Sequence, residues 1–206
     1  DFSLDDIYRC LTQVVTFKDR LQMHLHRQMK SKFGRSTELV YYDVTNYYFE
    51  IDGEDELRRR GPSKEHKPNP IVQMGLLLDY QGLPLAYHLF PGNESEKPSL
   101  NPLLSRLKED YSLGRLVVVA DKGLNCGDNI AYQVAQGNGY IYSQSIRGAD
   151  EEFKRYVLEQ KGYRPNGENS KCKSRLYPRE ITFTNAMGKK EKIRIDQKQV
   201  VFYSQD

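Results

Sequence analysis

Asp43 sits in LVYYDVTNYYFEID (39–52) and Asp121 closes LVVVAD (116–121), two carboxylates set in apolar runs. An ionised carboxylate taken from water without a partner costs on the order of several kcal/mol, so such a group is paired, protonated or bound to metal. On strand periodicity Asp43 shares a face with Tyr41, Thr45, Tyr47 and Phe49, which predicts a buried acid in need of a partner. Asp121 is the candidate. If the strands of both acids are neighbours, the carboxylates meet at the edge of the sheet core, and a shared proton or a divalent cation relieves their repulsion. All-oxygen ligands favour Mg2+ or Mn2+, and two such ions about 3.5–4 Å apart serve phosphodiester chemistry. An Asp after a buried strand also serves as a turn or helix cap, and position alone leaves that reading open.

The elements around the two acids read as α/β. Residues 3–31 predict two helices broken near Thr16, with capping signals at Ser3/Asp6 and Thr16/Asp19 and an apolar stripe of Ile7, Leu11, Val14, Leu21 and Leu25. His24 and His26, two apart, cannot share a helix face as metal ligands and read as surface residues. Strand 39–51 is followed by a hairpin, Ile71–Leu78 and Leu83–Phe90, turning around Asp79-Tyr80-Gln81-Gly82. His88 on the hairpin reads as a sheet-surface residue. A helix begins near Ser99 or Asn101. The unalternated run Leu116–Ala120 predicts a strand buried on both faces, then a helix at 129–136 and a strand at 140–146. Residues 150–164 read as helix, and ITFT, KIRI and QVVFYS as strands of a basic tail. The expected organisation is a helical segment 1–36, a sheet core 37–149 and a β-rich insertion 150–206.

Composition excludes little and supports one partner weakly. The charged share of 29% against 38% hydrophobic is polar for a compact globule, as a basic insertion or an elongated shape would make it. Net charge is only +3, a weak signal for nucleic acid. Cys10, Cys126 and Cys172 lack paired spacing, giving neither a disulfide framework nor a zinc site, and reduced cytoplasmic thiols are expected. No apolar run has the length of a membrane span. The abrupt ends suggest a piece of a longer protein.

YYDVTNYYFE, GPSKEHKPNPIVQMGLLLDYQGLPL, FPGN followed by Glu96, and VVVADKGL together resemble, in that order, the DDE transposases of bacterial insertion sequences. The resemblance is to the group with a β-rich insertion in a ribonuclease H-like core, and it covers roughly residues 37–146. It implies a ribonuclease H-like mixed sheet flanked by helices, with Asp43 and Asp121 as the first two catalytic acids. It also implies Mg2+ or Mn2+ as cofactor and metal-dependent cleavage and strand transfer at transposon ends. The family's third acid lies in a Y-x2-R-x3-E-x6-K signature. None of the fifteen tyrosines here has an arginine three residues on, and Tyr177-Pro-Arg179-Glu180 is a lookalike on strand-like sequence. The third acid is therefore expected beyond Asp206, which would leave this piece inactive. A ribonuclease H-like nuclease and a non-catalytic, transposase-derived DNA-binding protein are the alternatives.

Double-stranded DNA, as transposon ends and target, is the expected partner, bound by a chain that forms a homodimer on it. Duplex binding needs cations near phosphates. The candidates are Arg58, Arg59, Arg60, Lys64 and Lys67 after the first strand, and Lys122 beside the second acid. In the tail they are Lys171, Lys173, Arg175, Lys189, Lys190 and Lys192, with Arg179 and Arg194 nearby. Asn93 and Glu96 are candidate supports of the acid pair.

Overall fold

The alternation in residues 39–48 decides the fold: Val40, Tyr42 and Val44 are buried, and the residues between them face outward. A computed structural model describes residues 2–62 and 68–204. Its elements are α1 (Leu4–Thr16), α2 (Lys18–Phe33), β1 (Leu39–Tyr48), β2 (Ile71–Asp79), β3 (Pro84–Pro91), α3 (Leu100–Tyr111), β4 (Val117–Ala120), α4 (Gly127–Ala135), β5 (Gly139–Tyr142), α5 (Glu151–Leu158), β6 (Arg164–Pro165), β7 (Ser170–Thr184) and β8 (Lys190–Ser204). Two sheets result. One is five-stranded with order β3-β2-β1-β4-β5, the other three-stranded with order β6-β7-β8. β1, β2 and β3 run antiparallel, while β4 and β5 join β1 in parallel. This mixed sheet with flanking helices is the ribonuclease H-like arrangement expected, and the basic tail forms the second sheet.

The core fills one face of the large sheet. Val40, Tyr42, Val44, Leu77 and Val118 pack against Leu100, Leu103, Leu104 and Leu107, the stripe of α3. Tyr42 lies across Gly75 of β2, and its hydroxyl pairs with Ser99 Oγ at 2.8 Å. A Cβ at position 75 would run into that ring, which is why the strand carries glycine there. Burial, joined by the charges of Glu96 and Asp43 and only partly offset by Ser99, pushes the Tyr42 hydroxyl up to about 12.

Polar groups inside the fold staple loops. Arg35 Nε meets Asp79 Oδ2 at 2.8 Å, both side chains being almost wholly enclosed. Arg35 also donates to Pro84 O, and Asp79 Oδ1 accepts from the Gln81 and Leu83 amides, so one ion pair closes the β2–β3 turn and anchors the α2–β1 link. Buried Asn129 donates to Lys97 O and Leu124 O, and buried Gln73 donates to Gly92 O and Glu94 O.

Several expectations need correction. His26 is not a surface residue: it is 3% exposed and stacks on Tyr111 at 4.7 Å. Burial, with Arg35 adding to it, holds its imidazole below the usual histidine range. The helix expected to reach 164 stops at Leu158, where Gly162 takes φ 89° and Tyr163 folds back to donate to Val157 O. KIRI and QVVFYS are one fifteen-residue strand, β8, because β7 is equally long and pairs with it throughout.

Arg35→Met leaves Asp79 buried without its cation and is expected to cost about 3–5 kcal/mol in urea unfolding, part of which Arg35→Met/Asp79→Asn recovers. His26 titrates below its unfolded value, so the unfolded chain binds more protons and stability rises with pH through the window just below 6.5. Urea midpoints are expected to fall as pH drops through that window, and His26→Gln is expected to flatten the slope.

Candidate functional site

The parallel register places the two aspartates. β1 and β4 pair as Tyr42↔Ala120, and β4 and β5 pair as Ala120↔Tyr142. Asp43, Asp121 and Ser143 each follow the last of these registered residues, on neighbouring strands whose usual spacing is roughly 4.8 Å. Asp121 keeps an extended backbone (φ −72°, ψ 170°), so the chain has not yet turned away at that point. Its Oδ1 accepts the Lys122 amide at 2.6 Å and Ser143 Oγ at 2.9 Å. Asn125 ties the same corner by donating to Ser143 O and Gln144 Oε1.

Asp43 is not buried as expected. Its face carries Tyr41 and Tyr47, 39% and 46% exposed, and Asp43 is exposed with them. The aromatic neighbours suggested a packed face, but the helices of the core cover only the opposite side. The acid therefore meets solvent on its open side, with Asp121 following the neighbouring strand. Glu96 is half-buried, with its carboxylate against Gly123 in the turn after Asp121, whereas Asn93 is exposed.

Two carboxylates at the end of parallel strands, open to solvent, are a donor set that suits Mg2+ or Mn2+, ions that use one or two carboxylates and fill the remaining positions with water or substrate phosphate. No cluster of three or more His, Cys, Asp or Glu side chains suited to a metal occurs among the described residues.

Ser143 escaped the sequence reading. Only the strand register identifies it, because a serine after YIY carries no signal of its own. It also opens a cleft of about 770 Å³ between β5, α5 and the β7–β8 ribbon, lined among others by Tyr142, Gln144, Phe153, Arg179 and Phe202.

The basic candidates divide into three groups. Lys122 is exposed beside the acid pair, and Lys189 and Lys190 are exposed at the β7–β8 turn. Lys192 is also exposed and pairs with Glu180 at 2.6 Å. Arg58, Arg59 and Arg60 are engaged locally: Arg58 with Asp55 at 2.5 Å, Arg59 with Glu54 at 3.8 Å, Arg60 with the Pro68 and Asp52 carbonyls. The acidic and basic blocks of this loop thus neutralise one another. Lys64 and Lys67 lie outside the described residues.

Lys171, Lys173 and Arg175 form the third group, built into the tail. Lys173 is 5% exposed and donates to Tyr156 O and Glu159 O at the end of α5, between the Tyr156 and Tyr163 rings. A duplex phosphate cannot reach it, which corrects its assignment to a DNA surface. Arg175 lies over Tyr156 and Tyr177 and meets Glu152 at 3.2 Å, and Lys171 sits between Tyr163 and Tyr203. Lys173 and Arg175 hold α5 on β7. The tail is fixed to the core through α4, where Gly127 touches the Thr182 backbone and Asp128 Oδ1 accepts the Thr184 amide.

A scan against protein-family models finds no match, and no curated protein matches the sequence. Among solved structures, the chain aligns with a Mos1 transposase paired-end complex with the left transposon end (12% identity, 60% of this chain, 40% of that one, TM-score 0.35). It also aligns with a piggyBac transposase synaptic complex with hairpin DNA (11% identity, 76% and 32%, TM-score 0.40) and a pre-cleavage Mos1 transpososome (12%, 60% and 41%, TM-score 0.34). The chain spans about a third to two-fifths of the length of these proteins. No helix among the described residues is long and apolar enough to cross a membrane.

Lys173→Met strands two helix-end carbonyls and is expected to cost about 1–3 kcal/mol of stability, while Lys189→Ala and Lys190→Ala stay within about 0.5 kcal/mol, all read by thermal melting.

Proposed function

We propose that the chain is part of the catalytic core of a DDE transposase, acting on DNA ends through Asp43 and Asp121. The observation that carries the reading is the strand register that makes these two acids neighbours, joined by the ordered motifs around them. In this reading Asp43 and Asp121 hold Mg2+ or Mn2+, and the bound cation would supply charge neutralisation at a scissile phosphate and an activated attacking oxygen.

The chain's own residues have defined tasks. Lys122 amide and Ser143 hydroxyl load one oxygen of Asp121 and fix the carboxylate's direction. Lys122 also offers its exposed ammonium to the DNA backbone beside the pair. Lys189, Lys190 and Lys192 offer further cations on the β7–β8 ribbon. Arg58 and Arg59 serve the same duplex only once Asp55 and Glu54 are displaced, and Arg60 only once it leaves the Pro68 and Asp52 carbonyls. Insertion-sequence ends are the proposed substrate, and the further oxygen ligands come from water, DNA phosphate or a carboxylate outside the described residues.

Mn2+ titrated into the chain and followed by electron paramagnetic resonance is expected to lose free-ion signal, and Asp43→Asn or Asp121→Asn to restore it with an unchanged melting curve. Undiminished binding in both variants overturns the metal assignment. The activity itself is tested by cleavage and joining of labelled end DNA with the gene's whole product: cleavage without joined product favours a nuclease, and neither reaction favours a DNA-binding protein.

A further inference from the structure

The β7–β8 ribbon has two unlike faces. Strand alternation puts Lys173, Arg175, Tyr177 and Ile181 on the inner face, where α5 and α4 cover them. Every second residue from Ser174 to Thr184 on β7, and from Lys190 to Phe202 on β8, is exposed on the outer face. β8 brings Lys190, Lys192, Arg194 and Lys198 to that face, with Asp196 among them. Opposite these cations in the register stand Thr184, Thr182, Glu180 and Leu176 of β7. Arg58, Lys173 and Arg175 are answered inside the fold, but Lys190, Arg194 and Lys198 form no ion pair among the described residues. Glu180, which faces Arg194 across the register, is taken by Lys192.

The charged stretch is bounded on one side and lies near the acid pair on the other. It ends at Leu176, Val200 and Phe202, apolar side chains that are each at least half exposed. At its other end Gly127 touches the Thr182 backbone, and Gly127 follows Asp121 by six residues, at most about 21 Å of chain. A duplex seated at the acids would pass the ribbon within one helical turn, about 34 Å.

We propose that the outer face of the β7–β8 ribbon enters the major groove of double-stranded DNA and reads base edges there, with Arg194 as the specificity-determining residue. The inference takes from the proposed function only that the ligand is duplex DNA, and it deepens that reading from phosphate contact to sequence readout. Arg194 stands in the middle of the cation row, and an unpaired guanidinium is the side chain that takes guanine O6 and N7 together. Thr182, short and beside it, lets the strand approach the bases and offers a hydroxyl and a methyl to them. Lys190, Lys192 and Lys198 lie on either side of Arg194 and serve the phosphates of the groove rim.

Three features favour base edges of a duplex over other ligands. Two strands about 4.8 Å apart fit a major groove about 12 Å wide, whereas the minor groove, about 6 Å wide, excludes them. Lys190 to Lys198 spans about 27 Å of strand, the axial length of about eight base pairs. Asp196, two residues from Arg194, would repel a phosphate but accepts from the amino group of cytosine. From Pro178 to Thr184 and from Lys190 to Lys198 the outer face also carries no aromatic ring on which an unpaired base could stack, which argues against a single strand.

Selection of tight binders from a pool of random duplexes of about three helical turns tests it, with the bound DNA sequenced and its affinity measured by fluorescence anisotropy. The Asp43→Asn chain is used in EDTA, so the metal assignment does not enter the result. The selected duplexes are expected to share a motif containing guanine, and methylation of guanine N7 within it to abolish the preference. Arg194→Ala is expected to lower the preference for the motif over the starting pool by roughly 5- to 100-fold, with the circular dichroism melt unchanged. Lys190→Ala and Lys198→Ala are expected to weaken binding to all sequences alike and to reduce the salt slope by about one each. Duplex binding with no shared motif, a motif indifferent to Arg194→Ala or to N7 methylation, or tighter binding to the single strands overturns the readout and leaves the proposed function standing. Absence of any DNA binding overturns both.

Discussion

The parallel pairing of β1 with β4 is the constraint on which the rest of the molecule depends. β2 and β3 are joined by a short turn and β1 precedes them in the chain, but β4 reaches β1 only after a crossover through α3, as a parallel pair requires. Its register is held at one end by the Val117 amide donating to Glu38 O at 2.6 Å and along its length by Val40 and Val118, both fully enclosed in the core. Side chains alternate with period two, so a slip of one residue would turn Val118 outward and send Asp121 to the face away from Asp43. The same hydrophobic packing that stabilises the sheet therefore sets which acids are neighbours.

Charge in this chain is spent largely on its own architecture. The acidic run Asp52–Glu56 meets the arginines that follow it, and the lysines and arginines of β7 are threaded between tyrosines and helix-end carbonyls. A basic stretch in sequence is thus a poor guide to a basic surface. Lys173 makes the point most clearly: burial pushes its ammonium below the usual lysine range, and it persists there because two carbonyls and two aromatic faces replace water.

Much of the sheet was legible because strand alternation and the apolar run Leu116–Ala120 are strong local signals, although that run is not buried on both faces as expected: Val118 and Ala120 are buried, Val117 and Val119 only half-buried. The two acids were legible for the same reason, each standing at a definite place on a strand. The environment of Asp43 was not, because Tyr41 and Tyr47 are as compatible with an open face as with a packed one, and only the position of the helices decides between them. His26, Lys173 and Ser143 share another obstacle. Their partners, Tyr111, the end of α5 and Asp121, lie 85, 14 and 22 residues away, beyond the reach of any local pattern. The stripe of α1 and α2 was legible as a packing face: its Val14, Leu21 and Leu25 border Leu76, Leu85 and Tyr87 of the sheet, while Ile7 and Leu11 on α1 stay exposed.

The open face of the sheet ties these threads together. Across it, in one row, run Ser143, Asp121, Asp43, Leu76 and Tyr87, polar on the parallel side and apolar on the antiparallel side. A duplex cannot lie over the apolar half without desolvating its phosphates against hydrocarbon, and a helix cannot lie over the acidic half without leaving carboxylates unpaired. The row therefore partitions the face between two kinds of occupant. Leu76 is the sheet partner of Asp43 itself, one strand spacing or roughly 5 Å away, and Tyr87 stands one strand further. Such closeness means that the polar and apolar halves of the row share a single rigid support, β1 and β2 with Tyr42 locked across Gly75. A disturbance of that packing would reach both halves at once.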